Sequence, residues 1–456
     1  MNRLQVESAA QVLALMDQRH SAHIKVGVFD IDGVLRGKYM SRDKFASSLD
    51  KGFGFCDVVL GWDSMDQLYD NGTHTGWHTG YPDASVRLLP ETCRDLPLEG
   101  DTLFVLGEFA NRDEDVCPRG CLRRVLRHAA DMGFAVKAGF EYEFFMFEET
   151  PHSVRDKRYR DMRALAPGLH GYSTIRNSVH ADVYRGLLEL GEAMDFPLEG
   201  LHEETGPGVL EAAITVDDAL SAADKAALFK TFTKIYAQNI GLMATFMARW
   251  STDWAGSSGH IHISLIDAKD GNALFHDPQA EHGMSAAQRH FIGGLQRHMP
   301  EMAAMYAPTV NSYRRLVPGF WAPTDASFGV DNRTCALRLV PGSAASQRVE
   351  YRVAGADSNP YLALAGAVAS GLRGIEEKIE PEGPVSGNAY EQKFPKRLAL
   401  PRSLDEAARR LAASKLAQQA FGSAFVEHFA ATRDFEAREF SKSVTDWELQ
   451  RYFEII

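Results

Sequence analysis

The segment GFEYEFFMF, residues 139–147, admits few folds. In an extended strand successive side chains point to opposite faces. Glu141 and Glu143 would therefore share one face, with Cβ atoms roughly 7 Å apart, while Phe140, Tyr142 and Phe144 occupy the other. Phe145 and Phe147 continue the carboxylate side, so that side does not read as an ordinary solvated surface. Two carboxylates in so apolar a strand are costly unless a cation compensates them. The pattern predicts a strand with one face on the core and the other presenting paired carboxylates to a metal ion.

Three further segments carry chemistry of the same kind. In HEETGPGVLEAAI, residues 202–214, Glu203 precedes a Gly-Pro-Gly turn and Glu211 follows it, so the turn could fold both acids toward one point. Taken alone, the segment reads equally as a hairpin with exposed acids. In GSSGHIHISL, residues 256–265, His260, His262 and Ser264 fall on one strand face and Ile261 and Ile263 on the other. Such a pair is packed as often as it is ligating, but oxygen-rich ligands with an imidazole suit magnesium or manganese better than zinc. The third set is basic: NSYRRLVPGFWAPT from Asn311, DNRTCALRLV from Asp331 and QRVEYRV from Gln347. Arg315, Arg333, Arg338 and Arg352 lie in or beside apolar runs, and Arg348, Glu350 and Arg352 share a face. Any single arginine is explained by a structural ion pair, whereas several together suit bidentate binding of carboxylate or phosphate.

Charge points the same way. With 49 basic against 61 acidic side chains the chain carries a net charge of −12, which argues against a nucleic-acid partner. Handling polyphosphate would then require divalent cations between like charges. The five cysteines are sparse and lack the paired spacing of a zinc site, so they read as reduced cytosolic thiols. The first twenty residues read as an amphipathic helix and not as a secretory signal. The run YLALAGAVASGL from Tyr361 is too short to span a bilayer, and a cytoplasmic, membrane-free protein is expected. Strand-like runs at 24–29, 37–40 and 102–109 suggest a small, mostly β section. The charged stretch at 111–115 before Pro118 predicts a boundary between domains at 1–112 and 116–456. Beyond it come a helix at 119–132, strands at 135–147 and 209–216, a helix at 219–246 and a helix-rich end at 404–456.

In their order along the chain these motifs resemble the glutamine synthetase family of type I architecture. The resemblance runs from GFEYEFFMF through GPGVLE, GHIHISL, NSYRRLVPG, DNRTCALRLV and RVEYR to NPYLALAGAVASGL at 359. It implies an α+β fold: a small β-grasp-like N-terminal domain and a larger catalytic domain built on an antiparallel sheet flanked by helices. It further implies a homo-oligomer, a dodecamer of two hexameric rings, with each site completed by a neighbour's N-terminal domain. On this basis Glu143, Glu203 and Glu211 would hold one Mg2+ (or Mn2+), and Glu141, His260 and Glu350 a second. Arg315 and Arg352 would bind glutamate. Arg333 and Arg338 would face the transferred phosphoryl group, Arg338 from the nucleotide side, and His262, Ser264 and Arg348 would lie near ATP.

The departures from the family pattern narrow the activity. Where ammonia-using members place a Glu that closes the site, this chain has Trp321, which offers an aromatic face in place of a proton acceptor. Asp57, Cys56 or Asp63 stands for the N-terminal aspartate of the ammonium site, and Ala255 and Ala345 replace an Asn and a Lys. The combination resembles the branch that joins glutamate to organic amines, and Trp321 beside Phe320 suggests an alkyl or aromatic monoamine. A polyamine ligase and an ammonia-using glutamine synthetase are the alternatives. A separate reading starts from GVFDIDGVLRGK at residue 27, whose Asp30-Ile31-Asp32-Gly33 resembles the nucleophile motif of haloacid dehalogenase phosphatases. Within the ligase reading these are turn residues. A non-catalytic ring scaffold is the remaining alternative, disfavoured by the full set of expected ligands.

Overall fold

The computed structural model describes Leu4 and residues 6–456; Met1, Asn2, Arg3 and Gln5, part of the predicted N-terminal helix, lie outside the described residues. A helix at Ala9–Gln18 opens with Ser8 and Gln11 in a reciprocal cap. The first sheet follows. It contains β1 (His23–Phe29), β2 (Leu35–Ser41), β3 (Phe53–Cys56), β4 (Asp83–Asp95) and β5 (Leu103–Phe109), in the order β2-β1-β5-β4-β3. β1 and β5 run parallel at its centre, the other pairings are antiparallel, and the helix Arg42–Lys51 packs against it. β3, β4 and this helix were not foreseen. β4 contains Pro90 and shifts register between Leu89 and Arg94, which disguises its period-2 pattern.

The second sheet carries the site. Its strands are β6 (Phe134–Phe147), β7 (Leu198–Glu203), β8 (Val209–Ile214), β9 (Asp217–Asp218), β10 (Met243–Thr245), β11 (Gly259–Asp267), β12 (Phe328–Val330), β13 (Leu337–Val340) and β14 (Arg348–Tyr351). The order is β12-β13-β14-β11-β6-β8-β7, with β9 and β10 pairing onto β6. All pairings are antiparallel except β12 with β13. Phe140, Tyr142 and Phe144 of β6 are buried against Phe229 of the helix Ala219–Asn239 and against Phe246. This apolar face fixes the orientation of the opposite one, because a slip of one residue would bury the glutamates and expose the aromatics.

That helix is shorter than the predicted 219–246. Gly241 adopts φ 77° and the Leu242 amide donates to the Ala237 carbonyl at 2.8 Å, a left-handed C-terminal cap. The chain then turns so that residues 243–245 pair with 145–147 of β6. The acids ahead of the helix also differ from expectation: Asp218 occupies the N-cap position without capping, and its carboxylate pairs with Lys137 at 2.8 Å.

The first sheet meets the helices Pro360–Glu377 and Ser423–Ser441 at the Asp30-Ile31-Asp32-Gly33 turn. Asp30 is 1% exposed. Its Oδ1 accepts from the amides of Asp32 and Val34 and its Oδ2 from Arg36 Nε at 2.8 Å, which builds the β1–β2 turn with Gly33 at φ 80°. Asp32 accepts from Arg433 Nη2 at 2.6 Å, and Asn359 Nδ2 donates to the Ile31 carbonyl at 3.2 Å. A second buried link joins Glu108 of β5 to Arg119 at 2.6 Å, Arg119 to Asp224 at 2.9 Å and Asp224 to the Tyr361 hydroxyl at 2.6 Å. The motif that looks like a phosphatase nucleophile is thus a buried structural joint.

Removing one partner of a buried ion pair leaves an uncompensated charge. Arg433→Ala is therefore expected to destabilise the fold by about 3 kcal/mol, and the double change Arg433→Met with Asp32→Asn by clearly less. Thermal unfolding of the three proteins checks this; equal midpoints for wild type and Arg433→Ala would contradict it.

Candidate active site

The strand register assembles the site. Glu143 lies opposite Glu211 and Glu141 opposite His260, while His262 and Arg338 both lie opposite Glu350. One face of β13-β14-β11-β6-β8 thus carries Glu350, His260, His262, Glu141, Glu143 and Glu211 side by side, backed by the aromatic core. His260 Nδ1 is 3.2 Å from Glu141 and 3.4 Å from Glu350, and His262 Nε2 is 3.5 Å from Glu141. The Ser258 amide donates to Glu143 at 2.7 Å. Glycine at 256 lets the preceding loop pass close to Arg315: a Cβ there would sit 2.9 Å from the Arg315 Cγ and 2.2 Å from the Ala248 carbonyl oxygen.

The electrostatics are those of a cation site. Burial, and then the Glu141 and Glu143 carboxylates, push Glu211 up to about 10. Burial also raises Glu141 and Glu350, but hydrogen bonds from His260 and His262 to Glu141, and the charges of His260 and Arg352 at Glu350, outweigh it and hold both low. Burial and Arg352 push His260 down, toward the neutral imidazole that ligates metals. Its Nε2 is buried with no hydrogen-bond partner. Donor atoms of Glu141, Glu211 and His260, of Glu141, His262 and Glu350, and of His202, Glu204 and Glu211 lie close enough in each group to hold a metal ion. Buried carboxylates with one or two imidazoles fit a hard divalent cation such as Mg2+ or Mn2+.

Glu203 does not join these groups. In the β7–β8 hairpin it pairs with Leu210 while His202 pairs with Glu211, so alternation turns its side chain to the core face. There it is 5% exposed, its Oε1 lacks a partner, and burial raises its pKa. Glu204 occupies the cleft instead, 3.2 Å from His202 Nε2 and with an oxygen accepting from the Thr205 amide at 3.0 Å. The deciding quantity is the parity of the turn: four residues, 205–208, separate Glu204 from Val209, whose carbonyl accepts from the Glu204 amide at 3.1 Å. Tyr172, also unforeseen, lines the cleft with its ring stacked 4.4 Å from His202.

Arg315, Arg333, Arg352, Phe320 and Trp321 complete the cleft, which encloses about 360 Å³. Arg315 donates to the Arg352 and Val353 carbonyls, and the buried Nε of Arg352 has no partner. Arg352 Nη1 is 2.6 Å from Glu350. Arg338 lines neither this cleft nor the groove beyond it; it pairs with Asp331 at 2.6 Å and Glu350 at 3.0 Å. That second groove, about 240 Å³, is lined by His262, Ser264, Ala345, Arg348 and Lys137, and Glu141 borders both spaces. Arg348 Nε donates to His262 Nδ1 at 3.1 Å. Asp57, Cys56 and Asp63 do not line the cleft of their own chain. Asp57 is fully buried in the N-terminal part with Arg112 at 3.5 Å, Cys56 Sγ contacts the Tyr81 carbonyl, and Asp63 accepts from the amides of Met65 and Gln67 in a turn.

The glutamine synthetase catalytic domain matches residues 115–452. The chain belongs to the glutamine synthetase family. It is 43% identical over 442 residues to the type-1 glutamine synthetase 2 of Dictyostelium discoideum, covering 96% of this chain and 84% of that protein. It is 36% identical over 460 residues to the glutamate–isopropylamine ligase of a Pseudomonas species, covering 99% of both. The solved structure of a GmaS–ADP complex superposes with a TM-score of 0.84 at 27% identity, covering 97% of this chain and 99% of that one. The family's α+β fold, with its mixed small sheet and larger antiparallel one, is therefore the fold of this chain.

A pH dependence follows from Glu211. Its folded pKa is raised above the ordinary 4.5, so the folded state holds a proton that the unfolded state releases. The metal-free protein is expected to lose stability as pH climbs from about 5 toward 10. Glu141 and Glu350, held low, contribute a constant amount in that window. A divalent cation replaces the proton, so MgCl2 should raise the melting temperature more at pH 8.5 than at pH 6, and Glu211→Gln should abolish the difference. An equal Mg2+ gain at both pH values in wild type would contradict this.

Proposed function

We propose that this protein is an ATP-dependent ligase that joins the γ-carboxylate of glutamate to an organic monoamine, alkyl or aromatic. The observation that carries the amine reading is Trp321, which stands 60% exposed and, with Phe320, gives an aromatic edge to a cleft that also holds four carboxylates and three arginines. An indole neither accepts a proton nor attracts a small cation through a full charge, but it packs against an apolar amine substituent. A relative covering 99% of this chain is a glutamate–isopropylamine ligase, which supports the same choice.

The γ-carboxylate oxygen of glutamate attacks the γ-phosphorus of ATP, ADP leaves, and the amine nitrogen then displaces phosphate from the acyl phosphate carbon. Arg315 and Arg352, buried and facing the cleft, hold the glutamate carboxylate, and Arg333 faces the phosphoryl group. ATP lies in the groove lined by His262, Ser264 and Arg348, so the γ-phosphate crosses the border at Glu141. Arg338 acts one step back by holding Glu350. Glu143, Glu204 and Glu211 would hold one cation and Glu141, His260 and Glu350 a second. Cations held there would supply positive charge to offset that of the phosphates. Tyr172, His202, Phe320 and Trp321 enclose the amine side and keep water from the acyl phosphate.

We place the chain in the cytoplasm, in keeping with its unpaired cysteines, and in a homo-oligomer, a dodecamer of two rings in which a neighbour's N-terminal part completes each cleft. Ile175, Val179, Phe453, Ile455 and Ile456, each more than two-thirds exposed, favour burial against other copies. No described helix is long and apolar enough to cross a membrane.

Phosphate release measured with glutamate, Mg-ATP and a panel of amines tests the reading. An alkyl or aryl monoamine is expected to exceed ammonia in kcat/KM by at least tenfold; ammonia as the best substrate would make the protein a glutamine synthetase. The same assay separates the two adjacent acids. Glu204→Gln is expected to lower kcat by more than about a hundredfold, since even outer partners of a metal site cost ten- to a hundredfold, whereas Glu203→Gln should cost less than about fivefold. The reverse order would restore Glu203 as the ligand.

A further inference from the structure

Beside the catalytic cleft lies a second chamber of about 600 Å³, wide open to solvent on one side and lined by the loop after β12, by residues 384–387 and by His282. Trp321 and Arg333 line both spaces. The indole therefore stands between them as a partition, not as an outer wall. Its placement is built in: Trp321 adopts φ 56° after Gly319 at φ 85°, a backbone region that bulky side chains seldom occupy. Phe320 stacks on the Arg249 guanidinium at 4.3 Å, and Arg249 is itself fixed by the Ser251, Thr252 and Arg314 carbonyls.

The chamber walls are held together by their own polar groups. Asn332 Nδ2 donates to the Val385 and Gly387 carbonyls at 3.2 and 2.8 Å. The Thr334 hydroxyl donates to Asn332 Oδ1 at 2.7 Å and accepts from the Ala389 amide at 3.0 Å. The chamber's one carboxylate among the described residues lining it, Asp331, receives both Nε and Nη2 of Arg338. Val330, Pro384, Val385 and the outer face of Trp321 offer a ligand apolar surface beside the polar groups of His282, Arg333 and Ser386. A second ammonium group placed here would meet the Arg333 guanidinium and a single carboxylate already paired with Arg338.

We infer that this chamber receives the organic body of the amine substrate, whose nitrogen reaches the cleft between Trp321 and Arg333, and that it selects extended monoamines with an apolar body over diamines and polyamines. The inference rests on the ligase reading and adds to it a second space, the residues that shape it and the exclusion of a distal charge.

Ser386 and Pro384 line the chamber at its exposed edge, where a larger side chain fills space without entering the core. The test compares wild type, Ser386→Trp and Pro384→Trp with methylamine, phenethylamine, butylamine and 1,4-diaminobutane, with folding checked by thermal unfolding. The ratio of kcat/KM for phenethylamine to that for methylamine is expected to fall at least tenfold in one or both variants. Wild type is expected to favour butylamine over 1,4-diaminobutane at least tenfold, and Ser386→Asp to narrow that preference. A phenethylamine-to-methylamine ratio within threefold of wild type in both Trp variants, or a wild-type preference for the diamine, overturns the inference while leaving the ligase reading intact. Wild type that releases no phosphate with any amine defeats the ligase reading itself, and the inference with it.

Discussion

Four carboxylates crowded onto one face of a sheet whose other face is closed by aromatic packing are the constraint on which the rest depends. Burial of Phe140, Tyr142 and Phe144 leaves Glu141 and Glu143 one direction to point, and β8, β11 and β14 bring Glu211, His260 and Glu350 to meet them. Without a cation this arrangement is self-repelling, and burial followed by the Glu141 and Glu143 charges pushes Glu211 up. The core thus buries apolar surface and, in doing so, stores an electrostatic demand that only a proton or a metal relieves. The same reasoning explains why arginines surround the cleft. Glu350 is held by Arg338 and Arg352, and the buried Nε of Arg352 has no partner.

The function follows from the borders between spaces. Glu141 borders both the cleft and the groove beside His262 and Arg348, where transfer from nucleotide to acyl oxygen would cross. Trp321 divides the cleft from the chamber on its far side. Relatives described as a glutamine synthetase and as a glutamate–isopropylamine ligase both cover nearly the whole of this chain.

Much of the site was legible because strand alternation is a local rule. It placed Glu141 with Glu143, and His260 with His262, before any tertiary information was considered. It failed at Glu203 because a hairpin's facing depends on the parity of its turn, and the Gly-Pro-Gly signal marks a turn without fixing its length. β4 escaped because a register shift breaks its period, and the end of the helix Ala219–Asn239 because Gly241 lay inside an apolar run. The Asp30-Ile31-Asp32-Gly33 turn misled for the opposite reason. Six residues can match a catalytic motif when the physical need is only a tight turn and a buried joint to Arg433 and Asn359. Long-range pairings such as Glu108–Arg119–Asp224 have no local signature at all.

The central claim is that acyl phosphate formation on glutamate precedes attack by the amine. Glutamate labelled with 18O in its γ-carboxylate, turned over with Mg-ATP and the preferred amine, tests it through the isotopic content of the released phosphate. The account predicts one 18O in each phosphate, because the carboxylate oxygen that attacks phosphorus leaves with it. Phosphate free of label, with both 18O atoms retained in unreacted glutamate, would show hydrolysis of ATP by water and contradict the account.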